Sequence, residues 1–169
     1  MKFFKKPNDM KNVIVLIGSW LCVFATMLMI FCFSSQNAEK STETSAGVVE
    51  NVLSIVLPKE EITPEVVKKY QFPFRKAAHF GIYMLLGFSI INAFENTINK
   101  KKYISYILSL IVSALYAVSD EWHQNFSAGR GPSAIDVLID TSGAVIGIAL
   151  FFLFMKMYQK ILSSKKPIK

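Results

Sequence analysis

The sequence predicts an all-α, polytopic membrane protein: a bundle of four transmembrane helices with a short helical extracytoplasmic loop. Of its 169 residues, 52% are hydrophobic and only 18% charged, which is too apolar for an ordinary soluble domain of that length. The apolar residues are gathered into four runs of about bilayer-spanning length. The lysines lie in short blocks flanking those runs, so the net charge of +7 reads as a topology signal and gives no reason to expect a nucleic-acid partner. One domain, residues 1–169, accounts for the chain, because no internal repeat or low-complexity linker divides it.

The first run, residues 13–33, would span about 31 Å at roughly 1.5 Å per residue, one full crossing. Its lysine-rich lead resembles a signal peptide, but the run is long and Ser34-Ser35-Gln36-Asn37-Ala38 offers no good cleavage site, so a retained helix is expected. Cys22 and Cys32 both fall inside this run and read as small apolar fillers, with nothing to build a disulfide framework on. The outer loop, residues 34–76, carries Ala46, Val49, Val52, Leu53, Val56 and Leu57 at helical spacing, with Glu50 and Asn51 on another face. An amphipathic helix ending at Pro58 follows, lying on the membrane or capping the bundle. Thr63-Pro64-Glu65 then opens a second short helix running to about Tyr70. The remaining crossings are placed at about 77–94, 103–119 and 137–155. Asp140 sits near the start of the last one, within the bilayer boundary.

Twelve of the nineteen basic residues lie in segments 1–12, 95–102 and 156–169, which places those segments and both termini in the cytoplasm of a multi-pass protein of the cell membrane. Ten of the twelve acidic residues fall on the opposite, outer side. Function is therefore sought there. Arg75, His79, Tyr83 and Gly87 are spaced by four and form one stripe entering the membrane, with Lys76 beside it. After the third helix the chain reads Asp120-Glu121-Trp122-His123-Gln124-Asn125-Phe126, then Gly129-Arg130-Gly131-Pro132 and Asp136. On a continuing helix Asp120, His123 and Gln124 share a face. Asp136, Asp140, Gly143 and Gly147 share another, on which Gly143-x-x-x-Gly147 lets a second helix approach closely. These carboxylates should then point into the bundle, where Arg75, Lys76 and Arg130 are available as partners.

Ser34-Ser35-Gln36, Lys76-x-x-His79-Phe80-x-x-Tyr83, Asp120-Glu121-x-His123-Gln124-x-Phe126 with Gly129-Arg130 and Asp136, and Asp140-x-x-Gly143-x-x-x-Gly147 stand in this order along nearly the whole chain. Together they resemble the VanZ-like family. Two departures stand out: Asp140 occupies a position where the family often has Asn, and Ser127-Ala128 replaces the more usual Val-Pro before Gly-Arg. The resemblance implies a small cell-envelope membrane protein. It also implies kinship with founding members associated with lowered susceptibility to teicoplanin-type glycopeptide antibiotics, but it supplies no reaction.

The candidate polar pocket comprises Lys76, His79, Tyr83, Glu121, His123, Gln124, Arg130, Asp136 and Asp140. Its plainest use is to bind an anionic lipid headgroup or a lipid-linked envelope precursor through its basic groups. A membrane-embedded enzyme at the same place would use His79 or Glu121 as general acid or base and Arg130 to steady a phosphate or carboxylate. As a purely structural partner subunit of another membrane protein, the chain would use the same groups as ion pairs holding the bundle together. His79, Asp120, Glu121, His123 and Asp136 include enough ligands for a divalent ion, but no compact zinc spacing is present, so neither metal nor cofactor is expected. Gly129-Arg130-Gly131 could cradle a phosphate or serve as an ordinary tight turn. Ser34 and Ser35 lack an adjacent base and read as helix-end polar groups. Trp122, Phe126, Tyr103 and Phe72 read as an interfacial aromatic belt.

Overall fold

The computed structural model describes residues 10–36, 38–58, 61–98, 102–126, 131 and 133–164. They form helices α1 (Met10–Ser34), α2 (Ala38–Val56), α3 (Pro64–Thr97), α4 (Lys102–Gln124) and α5 (Ala134–Ser164), with no strand among the described residues. By length and composition, α1, α3, α4 and α5 can each cross a membrane. Most of their large apolar side chains, such as Phe24, Leu115 and Phe154, face outward, as a bilayer solvent requires. Cys22 and Cys32 face outward too, so neither fills the packed interior.

The predicted α2 is present and packs against α3. Val49 is buried and Gln71 donates a 2.7 Å hydrogen bond to the Thr42 carbonyl. The short helix expected to stop at about Tyr70 is not separate. Thr63 caps it, accepting from the Val66 amide, and Pro64 follows as foreseen, but the helix runs on through Pro73 to Thr97. Pro73 removes one backbone donor, and the flanking Gln71-Phe72 and Phe74-Arg75-Lys76-Ala77-Ala78 contain nothing else that ends a helix. Its 34 residues extend about 51 Å at roughly 1.5 Å per residue, so the helix exceeds the bilayer core and projects from it. The other apolar runs also prove to be the middles of longer helices, with α4 continuing to Gln124 and α5 beginning at Ala134.

α3 is the centre of the bundle and packs on every other helix, most extensively on α5. A Cβ at Gly87 would lie 2.7 Å from the Ala144 Cα, and one at Gly147 would lie 2.9 Å from the Phe88 amide nitrogen. At Gly143 it would overlap the Phe80 backbone. All three glycines thus permit backbone contact between α3 and α5, as Gly-x-x-x-Gly pairings do. On the other side of α3 a core of Val23, Ile30, Tyr83, Leu86, Ile90, Ala93 and Ala117 joins it to α1 and α4. Tyr116 ties α4 to α1 through a 2.7 Å hydrogen bond to the Met27 carbonyl, and Trp20 ties α1 to α3 through one of 2.9 Å to Thr97 Oγ1. Ser105, Ser109 and Ser113, four apart on α4, are buried small residues that allow its close packing.

Candidate functional site

The antiparallel succession of crossings brings the end of α1, the second third of α3, the end of α4 and the start of α5 to one end of the bundle. The polar motif residues gather there. A cleft of about 190 Å³ is lined by Phe72, Arg75, Lys76, His79, Gln124, Gly131, Asp136, Ile139 and Asp140. Lys76, His79, Gln124, Asp136 and Asp140 from the predicted pocket therefore share one cavity. Lys76 forms an ion pair with Asp136 while its ammonium also lies 5.1 Å from the centre of the Phe72 ring. His79 Nδ1 is 3.6 Å from Asp140 Oδ1. Tyr83, one turn deeper on the same stripe, is wholly buried.

Asp140 is two turns into α5 and fully buried against the bundle interior, where neither carboxylate oxygen accepts a hydrogen bond from a described residue. Its depth follows from the register that puts Gly143 and Gly147 on α3: one turn before the glycines, the same face carries Asp140 into the interface. Asp120 approaches from α4, fixed by a 3.2 Å hydrogen bond from Gln124 one turn on. Ser34, read as a helix-end polar group, is fully buried and lies beside Asp120. The Tyr83 hydroxyl faces Asp120 and Asp140.

The other predicted residues have different surroundings. Glu121 is buried and its Oε2 accepts a 2.7 Å hydrogen bond from the Ser133 amide. Ser133 in turn caps α5, its hydroxyl accepting from the Asp136 amide at 3.3 Å. Glu121 thus joins the end of α4 to the start of α5. His123 is turned away from the cleft toward α1, its ring 4.7 Å from that of Phe31, because only Asp120 and Gln124 of that triplet face the bundle interior. Arg130 and Gly129 lie outside the described residues, so of the glycine-rich turn only Gly131 is seen, on the rim of the cleft. Trp122, Phe126 and Tyr103 are exposed near helix ends, as a belt requires, whereas Phe72, also exposed, lies two turns inside α3.

Arg75 lines the cleft, and among the described residues it forms no ion pair. On its other side Arg75, with His79, also borders a second cavity of about 240 Å³ between α1, α2 and α3. That groove is otherwise mainly apolar, walled by Ile30, Phe33, Val48, Phe74, Ala78 and Ile82. A sequence stripe places Arg75 and His79 on one face of α3. The groove they share depends on α2 folding back onto α3, which no local pattern specifies.

A model of the VanZ/LLP1 family matches residues 19–155, a stretch that contains every side chain of the cleft and the three glycines between α3 and α5. No curated protein and no solved structure matches the chain.

Proposed function

The chain belongs to the VanZ/LLP1 family of membrane proteins, and from that premise we propose that it binds an anionic amphiphile, either a membrane lipid or a lipid-linked envelope precursor. The observation that carries this reading is the wall shared by two unlike cavities: Arg75 and His79 border both an apolar groove and a polar cleft. An acyl or isoprenyl chain would lie in the groove, and its phosphate would meet the Arg75 guanidinium at the boundary. A guanidinium with no acidic partner among the described residues suits that task, since it offers a planar fork of donors to a phosphate or carboxylate. Lys76 serves instead to hold Asp136 across the α3–α5 junction. The asymmetry of the lysine blocks supports an outward-facing position for this end of the bundle. A protein there that engages a lipid-linked envelope precursor would alter susceptibility to antibiotics aimed at the same precursor.

Extraction of the full chain in a gentle detergent, followed by mass spectrometry of co-purifying lipids, tests the reading. Enrichment of phosphate-bearing lipids over the bulk membrane, lost in Arg75→Ala, is expected. Bulk-like lipid content in both proteins would refute it.

A further inference from the structure

We propose that His79, Asp120 and Asp140 form a binding site for a divalent first-row transition-metal ion of the Zn²⁺ or Mn²⁺ class. The three residues come from α3, α4 and α5, and one donor atom from each lies within 4.8 Å of the other two. An ion bound at about 2.0–2.2 Å holds its ligands somewhat closer than that, so a small inward movement of side chains completes the set. The proposal shares His79 with the lipid reading, as a ligand here and as part of the cavity wall there, and does not depend on lipid binding.

The independent sign is the state of Asp140. Its residue is fully buried, and neither oxygen is hydrogen-bonded to a described residue. A bare carboxylate in such surroundings costs several kcal/mol unless a cation or a proton offsets it. Among the described residues the nearby lysine and arginine cations are otherwise placed: Lys76 pairs with Asp136, and Arg75 makes no ion pair with Asp140. Asp120 accepts from Gln124 with Ser34 beside it, and the buried Tyr83 hydroxyl faces both carboxylates, so these neighbours are neutral and none offsets the two negative charges. A divalent ion would offset both negative charges at once and use the imidazole as a neutral donor.

The donor set limits the ion. One imidazole nitrogen and two carboxylate oxygens suit zinc, manganese or iron(II), whereas calcium and magnesium favour oxygen alone and copper(I) favours thiolates. Three protein ligands leave at least one coordination position free, and His79 and Asp140 stand on the wall of the cleft, so that position would open toward it. Sequence spacing hides such a site because its ligands are contributed singly by three helices, and Asp140 is recruited only by the glycine register of α5.

The test uses the full chain without a polyhistidine tag, purified in mild detergent, stripped with a chelator and titrated with Co²⁺ or Zn²⁺. One equivalent per chain is expected, with visible Co²⁺ absorption saturating at that point. His79→Ala, Asp120→Asn and Asp140→Asn should each weaken binding by more than about tenfold. His123→Ala, which changes a histidine outside the cluster, should leave it unaltered. Elution profile and helical circular dichroism establish that each variant is folded. Should the variants fail to fold, the wild-type Co²⁺ spectrum decides alone, since no absorption in excess metal refutes the site. Equal binding by wild type and Asp140→Asn, or loss confined to His123→Ala, would also overturn it.

Discussion

Arg75 and His79 illustrate how one helical turn divides labour between neighbouring side chains. Four residues apart on α3, they form the boundary between apolar groove and polar cleft, while Lys76, next in sequence, points to Asp136. Charge-assisted hydrogen bonds contribute about 1.5–3 kcal/mol each, so Arg75→Ala should weaken binding of an anionic lipid by roughly tenfold or more. Arg75→Lys should recover only part of that, because a point charge replaces a planar fork. Lipid titration of the protein in nanodiscs measures both, and equal affinity of Arg75→Ala and wild type would remove Arg75 from the site. The residue types were legible in the sequence because the four-residue spacing of Arg75, His79, Tyr83 and Gly87 needs only helical geometry. The orientation of His123 was not, since sharing a face with Asp120 and Gln124 does not say which edge of that face meets α1.

At the scale of elements, the contact between α3 and α5 decides whether the site exists at all. Gly87, Gly143 and Gly147 bring the two backbones together and thereby carry Asp136 and Asp140 to Lys76 and His79. Gly143→Leu or Gly147→Leu should therefore lower the amount of folded protein in the membrane severely, with overpacking costs above about 3 kcal/mol. Asp140→Leu should lower it less if the carboxylate serves a ligand and not the fold. Immunodetection of the variants in membranes distinguishes these outcomes, and equal loss of all three would assign Asp140 to a structural network. The Gly143-x-x-x-Gly147 pattern announced this contact. The continuity of α3 was harder to read, because Thr63-Pro64-Glu65 begins a helix plainly while Pro73 resembles an end and proves to be an interior position.

For the whole molecule, four candidate crossings would leave both termini on one side and the cleft on the other, and the lysine blocks favour the proposal that the cleft side is the outer one. Cysteine labelling of intact cells should reach Lys59→Cys and not Lys101→Cys. Labelling at the second and not the first would invert the topology and move the cleft to the cytoplasmic face. Apolar runs and flanking charge carry this level of organisation in the sequence, since both are local properties. The groove beneath α2 is not local. It requires residues 41–48 of α2 to meet Ile30 and Phe33 of α1 and residues 74–82 of α3, a meeting visible only once the chain is folded.

That groove also offers the most direct test of lipid binding. A phosphate-bearing lipid with a photoreactive group in its chain should, when activated in membranes containing the full protein, label the peptides bearing Ile30, Val48 and Ile82. An excess of unmodified anionic lipid should compete that labelling away, and Arg75→Ala should diminish it. Label spread evenly over outward-facing positions such as Leu115 of α4 and Phe154 of α5, with no competition, would contradict the proposed site.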